Sequence, residues 1–196
     1  MRPKLRAGVR ASVARNTTRP SRGFEPIAGT NARVLILGSL PGRVSLEMQQ
    51  YYALPRNAFW PIMGRLLDFE PALPYERRVA KLKKYRIALW DVCASAERTG
   101  SLDSAIVKAS VRPNNFVTFL ARHRSIRSVY FNGGAARALY AKHVLPRLPP
   151  GLDYLKYVSL PSTSPAHAGL NLAAKLRRWS SVRHATMHPE TAHARG

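Results

Sequence analysis

A chain of 196 residues with 45% hydrophobic content can build one domain with a sizeable core, and no apolar run in it is long enough to cross a membrane. Its single cysteine, Cys93, excludes a disulfide framework and any cysteine-ligated zinc or iron–sulfur site within one chain, and it fits a reducing cytoplasm. The 32 Lys and Arg against 10 Asp and Glu, a formal charge of +22, point to a polyanionic partner held through its phosphates.

Residues 1–26 read as a disordered basic arm, similar in composition to an organellar transit peptide or to a DNA-contacting arm. The first strand is expected in ARVLILG (Ala32–Gly38). The stretch GSLPGRVSLEMQQYYALPRNAFW follows, with no Lys or His and a single acid, Glu47. One helix is expected to begin in AFWPIMGRLLDF and another in PYERRVAKLKKY, where Val79, Leu82 and Tyr85 recur at helical spacing. YRIALWDV (Tyr85–Val92) is the second strand, and NNFVTFLARH is a helix carrying Phe116, Phe119 and Leu120. IRSVYFNG (Ile126–Gly133) is the third strand, GAARALYAKHVL a helix, and YLKYVSLP (Tyr154–Pro161) the fourth strand. HAGLNLAAKLRRW, with Leu172, Leu176 and Trp179 on one face, closes a single domain over residues 27–182. Residues 183–196 read as a disordered tail.

Strands alternating with helices predict a parallel sheet covered on both sides, an α/β fold. Such sheets bind ligands outside the carboxyl ends of their strands. The loops GSLPG, FNGG and LPSTSPAHA, which follow the first, third and fourth strands, should therefore open on one edge and share one site.

Those loops lack the tools of several common chemistries. There is no G-x-S-x-G elbow, no phosphate loop with its Lys, and no G-x-G-x-x-G. Most acids fall on expected helices. Asp91 and Asp103 are exceptions, and Asp91 is expected to accept N–H bonds from its own loop. What remains is backbone amides, Asn amides, hydroxyls and aromatic rings. That set suits a flat heteroaromatic ring, with an aromatic to stack on its face and an Asn to read its edge with one donor and one acceptor. The small serines after the fourth strand suit a phosphodiester.

In order and spacing, GSLPG, YYALPRNAFW, LWDV, GSLDSAI, FNGGAA and LPSTSPAHA resemble the loops of the uracil-DNA glycosylase superfamily, most closely its hypoxanthine-DNA (deoxyinosine) glycosylase branch. The resemblance implies a three-layer α/β/α sandwich around a four-stranded parallel sheet. It also implies a flipped-base pocket and hydrolysis of the N-glycosidic bond of a deaminated base. Tyr52 falls where the superfamily stacks an aromatic on the base, and Asn132 where an amide reads the base edge. Asn57 matches an asparagine that the hypoxanthine branch uses in catalysis. Gly38 and the Ser39–Leu40 turn would hold the base through backbone amides, with Ser39 a catalytic candidate beside Asn57. Ser162, Thr163, Ser164, Pro165, Ala166 and His167 match the loop that pinches the strand and wedges into the duplex.

The chain also departs from the pattern. Leu40 stands where better-known branches keep an Asp or Asn that holds the water, and Ser162 where several keep a histidine that supports the leaving base. No Lys lies in these loops to form a Schiff base, so the expected enzyme is monofunctional and leaves an abasic site. Uracil, an activity of the wider superfamily, is expected ahead of hypoxanthine, the activity of the closest branch. The expected partner is DNA carrying deaminated bases, bound by a monomer in the cytoplasm with no metal, cofactor or membrane. A DNA-damage-binding module with little catalysis is the alternative, and an RNA- or nucleotide-binding α/β protein a weaker one.

Overall fold

The computed structural model describes residues 20–187. Its framework is a sheet of four parallel strands in the order 87–91, 34–38, 128–132 and 156–160. β2 (Val34–Gly38), β3 (Ile87–Asp91) and β6 (Ser128–Asn132) are buried at every residue, as expected of strands covered on both faces. β7 (Lys156–Leu160) is an edge strand, with Lys156 and Ser159 exposed and only Leu160 fully buried. Val34–Gly38 pairs residue for residue with Ile87–Asp91, and Asn132 lies opposite Leu160. The carboxyl ends of all four strands therefore finish on one edge.

Chain direction decides where the helices go. From β2 the chain crosses to β3 through α1 (Arg43–Met48), α2 (Phe59–Leu67) and α3 (Tyr75–Lys84). It then returns past β2 to β6 through α4 (Phe116–Arg122), and on to β7 through α5 (Gly134–His143). Right-handed crossovers in opposite directions put these two helix sets on opposite faces. Ring contacts agree: Phe59 of α2 meets Trp179 of the closing α6 (Leu172–Met187), while Phe116 of α4 meets Tyr140 of α5. The result is the three-layer α/β/α sandwich with one large core and a small satellite beside it.

The fold reaches further out than the sequence suggests. β1 (Ser21–Arg22) pairs antiparallel with β4 (Cys93–Ala96), and β4 with β5 (Arg112–Pro113), making a second, three-stranded sheet. Trp90 donates its indole N–H to the Phe24 carbonyl at 2.9 Å, and Ile27 bridges to Leu89. Residues 21–26, assigned from sequence to a disordered arm, thus belong to the domain. α6 likewise runs through residues 183–187, which the sequence reading placed in the tail. The rest of that arm and tail lies outside the described residues. No helix among the described residues is long and apolar enough to cross a membrane.

Candidate active site

Three loops converge at the carboxyl edge, and tryptophans hold two of them. Trp60 of α2 donates to the Tyr51 carbonyl at 2.9 Å, fixing the first loop. Trp179 of α6 donates to the Pro161 carbonyl at 3.0 Å, fixing the loop after β7. Lys175, buried in α6, reaches the same loop at the His167 carbonyl, 2.9 Å away. The loops are also stitched to each other. The Asn132 amide donates to Thr163 Oγ1 and accepts from the Thr163 N–H, both at 2.8 Å, and the Ala58 N–H donates to the Thr163 carbonyl at 3.0 Å.

Between the loops lies a cavity of about 280 Å³. Gly38, Ser39, Leu40, Tyr52, Asn132, Ser162, Thr163, Ser164, Ala166 and His167 all line it, so most of the residues singled out from sequence meet there. Two do not: Pro165 and Asn57 stand outside the lining. Asn57 accepts the Phe59 N–H on Oδ1 at 3.0 Å, a local turn that leads into α2 beside Ala58, whose N–H bonds Thr163.

Several side chains differ in detail from the sequence reading. Asn132, assigned to the base edge, also ties the loops together: both ends of its amide serve Thr163. Leu40 points its bulk into a small satellite core with Cys93, Ala96, Ile106 and Val111. Ser39 donates its hydroxyl to Asp103 Oδ1 at 2.5 Å. Arg98, buried beneath the first loop, donates to the Leu40 carbonyl at 3.3 Å and to the Pro41 carbonyl, and so braces the GSLPG turn.

Asp91 is the main departure. It was expected to accept loop N–H bonds, but its carboxyl is 3% exposed, lines the cavity, and has no partner for Oδ2. Burial above all, with the Asp103 charge adding to it and Arg98 opposing, pushes its pKa up to about 7. The Tyr52 hydroxyl is also buried without a hydrogen bond of standard geometry, although the Asn132 amide lies close enough to influence it. Burial, followed by the nearby Asp91, raises this phenol well above the ordinary tyrosine range. The Tyr52 ring stacks on Phe59 at 4.1 Å from a left-handed backbone, φ 55°. Gly38 makes this packing possible: a Cβ there would lie 2.3 Å from Asp91 Oδ1 and 3.0 Å from the Tyr52 hydroxyl. Two unpaired polar groups at the floor of a cavity are costly unless a ligand satisfies them.

Gly133 is equally constrained. Its φ is +99°, and a Cβ would meet the Ser162 Cβ at 2.9 Å. Gly133→Ala should therefore lose about 1–3 kcal/mol of stability in urea unfolding, through backbone strain and the clash.

Comparison with known proteins agrees with this architecture. The family model of the uracil DNA glycosylase superfamily matches residues 26–183. A hypoxanthine DNA glycosylase of Methanosarcina barkeri (strain Fusaro) is 36% identical over 113 residues, 57% of this chain and 70% of that protein. One from Methanosarcina acetivorans is 38% identical over 116 residues, 59% of this chain and 72% of that protein. The solution NMR structure of a candidate uracil DNA glycosylase from Methanosarcina acetivorans superposes with a TM-score of 0.71 at 31% identity, over 86% of this chain and 99% of that one. With that family model spanning residues 26–183 and these relatives, the chain belongs to the uracil DNA glycosylase superfamily and is a DNA glycosylase.

Proposed function

We propose that this glycosylase flips a deaminated base into the cavity and excises it by hydrolysis, with hypoxanthine preferred and uracil a second substrate. The observation that carries the reading is the pair of unsatisfied groups on the cavity floor, the Asp91 carboxyl beside the Tyr52 hydroxyl. Hypoxanthine and uracil both present a carbonyl next to a ring N–H. A neutral carboxyl offers the matching donor and acceptor. The names of the similar Methanosarcina proteins favour hypoxanthine.

Loss of a nucleobase is largely dissociative. The C1′–N bond breaks, its electron pair stays with the base, and the sugar becomes oxocarbenium-like. The requirement is to stabilise the departing anion, and preorganised donors in a dry pocket suit it. Neutral Asp91 gives its proton to the leaving base, while the free face of Tyr52 stacks on the ring. The backbone of Gly38–Leu40 lies along the base, and Asn132 keeps the Thr163 loop closed over it. Water adds to C1′, and its released proton restores Asp91 through solvent. Asn57, beside Thr163, positions that water. The run Ser162–His167 grips the flanking phosphodiesters, and the basic surface holds the DNA.

The test is base release from matched oligonucleotides carrying one hypoxanthine, uracil or xanthine, read by alkali cleavage. Hypoxanthine should be released fastest and an undamaged control not at all. Equal inactivity on all three lesions would overturn the proposal.

A further inference from the structure

Ser39 and Asp103 form a pair that the reaction above does not use. Ser39 follows directly on β2, and its carbonyl accepts the Cys93 N–H at 3.0 Å, so its backbone is fixed to the chain after β3. Its side chain is 7% exposed, lines the cavity, and donates its hydroxyl to Asp103 Oδ1 at 2.5 Å. Asp103 is held just as firmly. It opens a 3-10 turn over Asp103–Ala105. The root of that loop is closed by the Arg98–Ile106 bridge and by the Val107 N–H on the Glu97 carbonyl at 2.9 Å. The buried Arg98 ties the root to the Leu40 carbonyl at 3.3 Å, and Ser101 Oγ accepts the Arg43 N–H at 3.1 Å. Asp103 itself is exposed and also lines the cavity.

A hydroxyl has one proton and two lone pairs. The Ser39 proton is already given to Asp103, so towards the cavity this side chain can only accept. A base carbonyl gains nothing from it, whereas a water does. The water that adds to C1′ must lose a proton, and no group assigned above takes it in that step. The Asn57 amide is not basic, and Leu40 buries its side chain in the satellite core. Taking the glycosylase reading as its basis, we infer that Ser39 and Asp103 form a proton relay for the attacking water. The water oxygen bonds to C1′, its proton passes to Ser39 Oγ, and the serine's own proton passes to Asp103 Oδ1. Ser39 ends the step as it began, a neutral hydroxyl, and the exposed Asp103 carboxyl releases its proton to solvent. Ser39 touches the reacting water, whereas Asp103 is a positioning residue that acts through it. The two carboxyls of the cavity thereby divide the work. Asp91 serves the leaving base, and Asp103 serves the water.

The experiment measures single-turnover hypoxanthine release by wild type, Ser39→Ala, Asp103→Asn, Asp103→Ala and the Ser39→Ala, Asp103→Asn double variant. Asp103→Asn is the decisive change, because an amide oxygen still accepts the Ser39 hydroxyl but takes up no proton. It should keep the wild-type melting temperature and lose about 100-fold in rate, the lower end for a positioned base. Ser39→Ala should lose as much, and the double variant no more than either, since a relay fails as a unit. Added formate, which supplies the missing carboxylate, should speed Asp103→Ala and give no gain to Ser39→Ala. Burial raises the Asp91 pKa most, but the Asp103 charge adds to it, so Asp103→Asn is repeated in an Asp91→Asn background. That background has no carboxyl to retune, and the loss should recur there. An unchanged rate for Asp103→Asn, a loss that vanishes beside Asp91→Asn, or additive losses in the double variant would overturn the relay. Should the wild-type protein release no base, the catalytic reading and the relay fall together. Excision by wild type with Asp103→Asn unaffected removes the relay alone.

Discussion

Asp91→Ala should slow hypoxanthine release by about 100-fold or more, within the range of a positioned general acid. The pH dependence separates this role from a structural one. The folded-state pKa is raised to about 7, so the carboxyl holds its proton below that value and is charged above it. A charged Asp91 repels the departing base anion and has no proton to give. Wild-type release should therefore be level below pH 7 and fall by about tenfold per pH unit above it. Asp91→Asn keeps a donor and an acceptor without an ionisation. It should be slower than wild type at pH 6, flat through pH 9, and comparable with wild type at the alkaline end. Stability follows the same sign. A carboxyl whose pKa is raised by folding favours the folded state fully only below its unfolded value, and that support is lost as pH rises through about 7. Asp91→Asn should then melt higher than wild type at pH 8 and near it at pH 4. A pH–rate profile of the same shape in both proteins would remove Asp91 from the chemistry.

Asn57→Ala should lose about 10²–10³-fold in kcat, the usual scale for a preorganised polar group acting on a reacting molecule. Its second job must be accounted for, because Oδ1 also accepts the Phe59 N–H at the start of α2. Losing that bond alone should cost about 0.5–1.5 kcal/mol of stability. Asn57→Ser separates the two roles, since a serine hydroxyl can accept the same N–H two residues on. The serine variant should recover the melting temperature and remain slow. Recovery of both would mean that Asn57 only braces the turn into α2 and that water is positioned by another group.

The four central strands were legible because runs such as VLIL and IALW are apolar without alternation, which is how strands buried on both faces read. The second sheet was not. β1 and β5 are two residues each, and CASA has no hydrophobic signature, so only their mutual pairing defines them. α1 was missed for a similar reason, since six residues that bury only Ser45 carry no amphipathic stripe.

At the site, strand-end position alone brought Gly38, Ser39, Asn132 and Thr163 together. Asp91 was visible as an acid in an unusual place, but LWDV reads the same whether the carboxyl accepts loop N–H bonds or stands open. Burial and the absence of a partner for Oδ2 belong to the tertiary structure. The same holds for Ser101 and Asp103 in GSLD, which are anchored by Arg43 and Ser39, 58 and 64 residues away in sequence. Asn132 shows the converse. Its residue type fitted base reading, but the hydrogen bonds that occupy it come from Thr163.

The most direct test of the central claim is to incubate the protein with a duplex containing a single hypoxanthine and quantify free base and abasic DNA together by mass spectrometry. Hydrolytic excision predicts free hypoxanthine in a one-to-one ratio with an intact abasic strand, and neither product from an undamaged duplex. Tight binding to the lesion with no free base at any enzyme concentration would contradict it, and would make the chain a damage-binding module built on a glycosylase fold.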